Sequence, residues 1–234
     1  MPRMLDLTAC PGPASGRAKV LAALYAALGV AHYASAERKF RAGEWATKPL
    51  LMPVLAAFLL AAGGRGPGTG RLPAAGMLLG GLGDTALLAS EKSESWFIPG
   101  MGCFAAGHAC YIAALARDGA ARGVRPRVAA GYAALWAVII AVLWRRLGDL
   151  RVPVAGYSLL LVAMAVLASG RNRAAAAGGA LFVVSDALIA LGLADIKALP
   201  RQDSAVMPTY VAAQFLLAAG WLRPQGEITG IVPL

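Results

Sequence analysis

Apolar residues run through this chain in long continuous stretches, without the alternation of apolar and polar positions that half-buried strands have. Each stretch has about 18 to 21 residues and is bounded by Arg, Lys, Gly or Pro. A helix of about 20 residues covers the roughly 30 Å hydrocarbon core of a bilayer. The sequence therefore predicts eight spans, at about 18–36, 46–63, 73–91, 96–116, 126–144, 151–169, 174–193 and 205–222.

The connections between these stretches are short, so little sequence remains for a soluble domain. Continuous hydropathy also argues against the alternating strands of an outer-membrane barrel. The predicted fold class is all-α: a polytopic membrane protein in which residues 1–234 form a single domain, a bundle of eight transmembrane helices. The glycine-rich segment 63–71 is expected to be a plain linker, because no strand precedes it and no Gly-Lys-Ser/Thr follows.

Composition and charge agree with a membrane location. Hydrophobic residues make up 59% of the chain and charged residues 15%, whereas soluble domains have about 25% charged residues. The net charge is +10, but the 22 Lys and Arg residues are spread over nearly every connection. This distribution indicates contact with membrane lipids and no nucleic acid.

Eight spans place both termini on one side of the membrane. We call that side the terminal face and the opposite side the distal face. Connections on the terminal face carry slightly more basic residues, so the positive-inside rule favours cytoplasmic termini, with the inner membrane as the location in a bacterium.

Two aspartates interrupt the apolar spans: Asp84 in the third and Asp186 in the seventh. An Asp near the bilayer centre costs about 2.5–3.5 kcal/mol on insertion scales, so neither is expected to face lipid. The two helices run in the same direction, and each Asp lies about two residues past the midpoint of its span. We therefore expect both carboxyl groups at one depth in a shared interior site. The alternative is that each is hydrogen-bonded separately and only holds helices together.

Other polar side chains within the spans predict a cavity around this pair. His108 and Tyr111 are three residues apart on the fourth span, and Tyr210 and Gln214 are four apart on the eighth, so each pair shares a helix face. The complete candidate binding set is Lys48, His108, Tyr111, Tyr157, Ser185, Tyr210 and Gln214. Lys48, Tyr157, Tyr210 and both aspartates are expected in the distal half of the bilayer, and His108 and Gln214 near its middle. A cation near the surface with carboxylates below it suits an amphiphile that has an anionic head.

Two carboxyl groups in a low-dielectric cavity cannot both ionise cheaply, so one keeps its proton and the pair offers an acid and a base. The chain has only two histidines, no HExxH motif and no GxSxG motif. A metal set and an activated serine are therefore not predicted, and no cofactor is expected. Acid–base chemistry with Asp84 and Asp186 as catalytic residues is the remaining prediction.

Several strings resemble the YhhN family, the lysoplasmalogenases. They are LGDTALL (82–88), FAAGHACYIAAL (104–115), LFVVSDALIAL (181–191) and TYVAAQFLLAAGWL (209–222), with KPLLMP (48–53) in support. The resemblance implies eight spans and a lysophospholipid as partner. It further implies hydrolysis of the vinyl ether of lysoplasmalogens to a fatty aldehyde and a glycerophospho-alcohol, namely glycerophosphocholine or glycerophosphoethanolamine. It also implies that the family's two acidic positions are Asp84 and Asp186. Lys48 would then hold the phosphate, and the other polar residues would position water and glycerol oxygens.

Two other functions fit part of the pattern. GLGD (81–84) matches the GxGD string of intramembrane aspartyl proteases, but the second Asp follows Ser185 four spans later and no Pro-Ala-Leu motif occurs. A proton-coupled transporter would also bury carboxylates near the midplane, although helices broken at matched positions in two halves are not evident.

Overall fold

The computed structural model describes residues 16–63, 70–200, 202–223 and 225. The described part contains eight long α-helices and no strand. All eight are long and apolar enough to cross a membrane, which confirms the all-α polytopic prediction. They are α1 Gly16–Glu37, α2 Arg41–Ala61, α3 Arg71–Ser90, α4 Phe97–Arg117, α5 Pro126–Leu143, α6 Arg151–Ser169, α7 Arg173–Leu193 and α8 Gln202–Leu222. Most of the predicted glycine-rich linker, 64–69, lies outside the described residues.

Two helices, α2 and α8, begin three or more residues earlier than hydropathy predicts, because polar residues in their first turns have partners. α2 begins at Arg41, which forms ion pairs with Glu44 and Glu91. α8 begins at Gln202, whose side chain donates to the carbonyl of Leu188 at 2.9 Å. Hydropathy alone does not register such contacts, so the predicted starts at 46 and 205 fall inside the helices.

Seven helices form a closed ring in the order α1, α2, α3, α4, α6, α7, α8. α5 lies outside this ring, where it packs on α6 and makes a smaller contact with α7. Only Leu143 at its end is buried. Many large aliphatic side chains remain exposed on the outside of the bundle, as expected of a surface that meets acyl chains. α5 is therefore the helix that packs least against the rest of the bundle.

Small residues let the two aspartate-bearing helices approach their neighbours closely. A Cβ atom added at Gly107 of α4 would lie 2.9 Å from the carbonyl oxygen of Gly76 in α3. A Cβ atom added at Gly178 of α7 would lie 2.8 Å from the carbonyl oxygen of Ala213 in α8. Such contacts are favoured in lipid, where apolar burial alone does not drive association. They fix α3 against α4 and α7 against α8.

Arg171 and Asn172 form a cluster of buried polar contacts that links helices at the terminal face. Arg171, in the connection between α6 and α7, is 5% exposed. Its Nε donates to the carbonyl of Gly220 at 3.0 Å, and Nη1 donates to the carboxylate of Asp118. Asn172 is fully buried and also donates to the Gly220 carbonyl, at 2.9 Å. Burial lowers the pKa of the Arg171 guanidinium, and the Asp118 carboxylate opposes that shift.

Candidate active site

One cavity in the distal half of the bundle contains both intramembrane aspartates. It has about 1090 Å³ of space free of atoms, including the part that opens outwards, and residues of α2 to α8 line it. Its walls are mostly aliphatic and aromatic. The polar side chains that reach it are Lys48, Asp84, Tyr157, Ser158, Ser185, Asp186 and Tyr210. An apolar pocket with a few converging polar groups is the usual form of a small-molecule site.

Asp84 of α3 has a cation and a hydrogen-bond donor as neighbours. Asp84 is 3% exposed. The Tyr210 hydroxyl of α8 donates to Oδ2 at 2.8 Å, and Lys48 Nζ of α2 lies 3.8 Å from Oδ1. Both neighbours stabilise the ionised carboxylate.

Three further residues hold Tyr210 in place. The Tyr111 hydroxyl donates to Oε1 of Gln214 at 2.8 Å, and Gln214 Nε2 donates to the Tyr210 hydroxyl oxygen at 3.3 Å. Tyr111 and Gln214 are each 1% exposed. The ring of Phe182 contacts the Tyr210 ring edge to face, with 5.4 Å between centroids. These contacts fix the direction in which Tyr210 donates.

Asp186 of α7 has different neighbours. The Tyr157 hydroxyl of α6 donates to its Oδ2, and Nε2 of His108 in α4 lies 3.3 Å from that hydroxyl. His108 is 1% exposed, with its ring against Phe182 at 4.8 Å between centroids. Within the described residues no Lys or Arg forms an ion pair with Asp186. The two carboxyl groups thus differ in the charge that surrounds them.

Comparison with known proteins places the chain in a family. A family model described as the YhhN family matches residues 43–221, which include every candidate site residue. The chain belongs to the YhhN family. The human protein named lysoplasmalogenase TMEM86B is 31% identical to it over 134 residues, 54% of this chain and 54% of that relative. The match therefore spans about half the length of the curated relative. No solved structure matches.

In this YhhN protein the residues predicted from sequence fall into two layers. Lys48, Ser185, Tyr157, Tyr210 and both aspartates line the cavity, whereas three residues lie behind its wall: His108, Tyr111 and Gln214. Ser185 donates to the carbonyl oxygen of Val206 at 3.1 Å, so its hydroxyl links α7 to α8. The structure thus places only the first layer in the cavity wall, and the second layer contacts the lining tyrosines, His108 at Tyr157 and Gln214 at Tyr210.

Sequence reasoning missed one polar pair of the YhhN cavity. Trp136 of α5 donates from Nε1 to the Ser158 hydroxyl of α6 at 3.0 Å, and both residues line the cavity. The sequence did offer Ser158 as a candidate, because this polar residue directly follows Tyr157 within a span. Trp136 had no signal of its own, because tryptophans in spans are common interfacial anchors. This bond links the peripheral helix to the ring.

The YhhN site brings two carboxyl groups to one cavity. Lys48 is the one basic residue among the described cavity-lining residues. A cavity with two carboxyl groups and one ammonium group favours one ionised carboxylate and one neutral carboxylic acid. Such a site can donate a proton at one point and accept one at another.

Proposed function

We propose that this protein is a lysoplasmalogenase, a membrane hydrolase of the vinyl ether bond in 1-alkenyl lysophospholipids. The observation that carries the proposal is the pair of carboxyl groups in one apolar cavity, one beside a cation and one without. Membership of the YhhN family and the printed name of the human relative support the same activity. The cavity's mostly apolar walls suit a substrate with a long hydrocarbon chain.

The chemistry of the bond defines what the site must supply. A vinyl ether hydrolyses when an acid protonates the carbon distant from the oxygen, which produces an oxocarbenium ion. Water then adds to that cation and gives a hemiacetal, which separates into an aldehyde and an alcohol. The reaction therefore needs a carboxylic acid, a negative charge beside the cation and a base for the water.

The neighbours of each carboxyl group suggest its role. Asp84 accepts from Tyr210 and faces Lys48, so we assign it the ionised state. Among the described residues Asp186 accepts from the neutral Tyr157 hydroxyl and has no cation as a partner, so we assign it the proton. In this scheme Asp186 protonates the alkenyl carbon, and Asp84 stabilises the cation and removes a proton from the attacking water.

The same two groups can complete the cycle. After water has added, Asp84 carries a proton and Asp186 is ionised. Asp84 returns its proton to the glycerol oxygen as the carbon–oxygen bond breaks, and Asp186 accepts the proton of the hemiacetal hydroxyl. The products are an aldehyde and a glycerophospho-alcohol, and both aspartates regain their starting states without a cofactor.

The direct test is product formation in detergent. We expect the purified protein, incubated with a 1-alkenyl lysophospholipid, to release a fatty aldehyde and a glycerophospho-alcohol in equal amounts, measured by mass spectrometry. The saturated 1-alkyl analogue is the control and should remain intact, because it has no double bond to protonate. A transporter would form no product under these conditions. Recovery of intact alkenyl lipid after many hours would contradict the proposal.

Lys48 offers a test of the assigned charge on Asp84. We expect Lys48→Met to lower kcat about tenfold, because Asp84 loses the cation 3.8 Å away, while Lys48→Arg keeps most of the activity. Measuring a 1-alkenylglycerol beside the phospholipid separates this role from the phosphate binding that the resemblance implies. Equal losses on both substrates support the action on Asp84, and a loss confined to the phospholipid supports phosphate binding. Lys92→Met, at an exposed lysine on the distal face, is the matched control.

A further inference from the structure

The cavity extends from the aspartates to one corner of the distal face. Its lining reaches the first residue of α4, Phe97, and the last residues of α5 and α7, Leu143 and Leu193. On the other side of the bundle the lining stops deeper, at Lys48 of α2 and Leu87 of α3, inside the helix ends. The cavity therefore leads towards the corner formed by α4, α5, α6 and α7.

A cluster of arginines occupies the α5–α6 connection at this corner. Arg145 and Arg146 follow α5, Arg151 begins α6, and all three are exposed. The Arg151 guanidinium lies over the Trp144 ring, 5.7 Å from its centroid. The acidic residues of the surrounding connections are Glu91, which pairs with Arg41, and Glu94, Asp149 and Asp195. Among the described residues none of these forms an ion pair with the three arginines.

Three other distal cations already have partners, whereas Arg38, Lys39 and Lys197 are exposed in the α1–α2 and α7–α8 connections. Arg41 pairs with Glu44 and Glu91, and Lys92 lies over the Trp45 ring at 5.8 Å. Lys48 is paired with Asp84 at the depth of the reaction. Among the connections at this corner, α3–α4 carries Lys92 and α7–α8 carries Lys197 and Arg201, so the three arginines of 145–151 are the largest group of cations near the end of the cavity.

The depth of the aspartates matches the dimensions of a single-chain phospholipid. Asp186 lies seven residues before the end of α7, or about 10 Å below it at 1.5 Å per residue. Six bonds separate the phosphorus from the first vinyl carbon, which is about 8 Å in an extended chain at ordinary bond lengths. A phosphate at the helix ends thus places the vinyl ether beside the carboxyl groups. The alkenyl chain then has deeper apolar walls available, at Leu135, Leu161, Val162 and Val183.

We propose that Arg145, Arg146 and Arg151 form the site that binds the phosphodiester of the lysophospholipid substrate. This rests on the proposed function. Guanidinium groups suit phosphate because they donate in a planar fork, and they pair well with phosphate at a surface that excludes part of the water. Lys48 is then left to act on Asp84. The arginines orient the substrate and select phosphate-bearing lipids over neutral ones.

The test compares two substrates and one unreactive ligand in neutral detergent micelles. The variant is Arg145→Gln/Arg146→Gln/Arg151→Gln, and the control is Arg125→Gln/Arg127→Gln, at two exposed arginines where α5 begins on the terminal face. We expect the triple variant to raise KM for a 1-alkenyl lysophospholipid at least about tenfold with kcat unchanged. Its kcat/KM for 1-alkenylglycerol, which has no phosphate, should match the wild type. The control should change neither value.

Binding of the saturated 1-alkyl lysophospholipid tests the phosphate site independently of cleavage. We expect its Kd to rise about tenfold in the triple variant and to stay unchanged in the control. Equal losses on both alkenyl substrates, or an unchanged Kd for the saturated lipid, would overturn the phosphate site. Failure of the wild type to cleave either alkenyl lipid would instead refute the proposed hydrolase, and the Kd comparison would still test the arginines.

Discussion

Asparagine in place of either intramembrane aspartate is expected to lower kcat for aldehyde release by roughly 10²–10⁴-fold, the usual contribution of a positioned acid or base. Asp186→Asn has no acidic proton for the alkenyl carbon. Asp84→Asn has no charge beside the oxocarbenium ion and no base for the water. Asparagine keeps the size and the acceptor oxygen of each side chain, so the tyrosine hydrogen bonds are retained and the variants should fold. The measurement is single-turnover aldehyde release in detergent.

The matched control is Asp203→Asn, at an exposed aspartate in the first turn of α8 outside the cavity. It should have wild-type kcat. Binding of the saturated 1-alkyl lysophospholipid to both active-site variants should stay within a few-fold of the wild type, which separates lost chemistry from lost binding. The two-carboxylate mechanism is refuted if either asparagine variant keeps more than a tenth of the activity.

Hydropathy predicted the helices well because a membrane span has a fixed length and few tolerated charges. The eight predicted spans correspond one to one with α1–α8, and most ends agree within a few residues. The peripheral position of α5 could not be predicted from the sequence. Hydropathy reports whether a helix can lie in lipid but not which helices it contacts, and α5 is as apolar as its neighbours in the ring.

The depth of the candidate site was predictable, whereas its hydrogen bonds were not. Parallel spans and equal positions along them place Asp84 and Asp186 at one level, and both line one cavity. The choice of Tyr210 for one carboxyl group and Tyr157 for the other depends on how each helix is rotated about its axis. Spacing along one helix fixes only relative directions. His108 and Tyr111 share a helix face, yet they contact different networks.

Arg171 illustrates a contact that charge patterns conceal. An arginine in a short connection on the terminal face looks like one more surface cation under the positive-inside rule. In the structure it is buried and donates to the carbonyls of Gly220 and Trp221 in the last turn of α8, as well as to Asp118. The only sequence hint is the neighbouring Asn172, whose side chain accepts from the backbone N–H of Ala175 and caps α7.

Leucine in place of Arg171 is expected to destabilise the fold by about 3–5 kcal/mol, the cost of removing one partner from a buried ion pair. Asp118 would keep a largely buried carboxylate without its cation, and the carbonyls at the end of α8 would lose donors. Thermal unfolding in a fixed detergent measures the effect. Arg173→Leu is the matched control, because Arg173 is exposed two residues away.

The double variant Arg171→Leu/Asp118→Leu separates charge from packing. We expect it to be more stable than Arg171→Leu alone, since no buried charge is then left without a partner. In both variants, aldehyde release below the unfolding temperature should stay close to that of the wild type. The contacts of Arg171 lie at the terminal face, whereas the two carboxyl groups lie in the distal half of the bundle. An Arg171→Leu protein that unfolds with Arg173→Leu at the same temperature would show that this guanidinium does not hold α8 to the bundle.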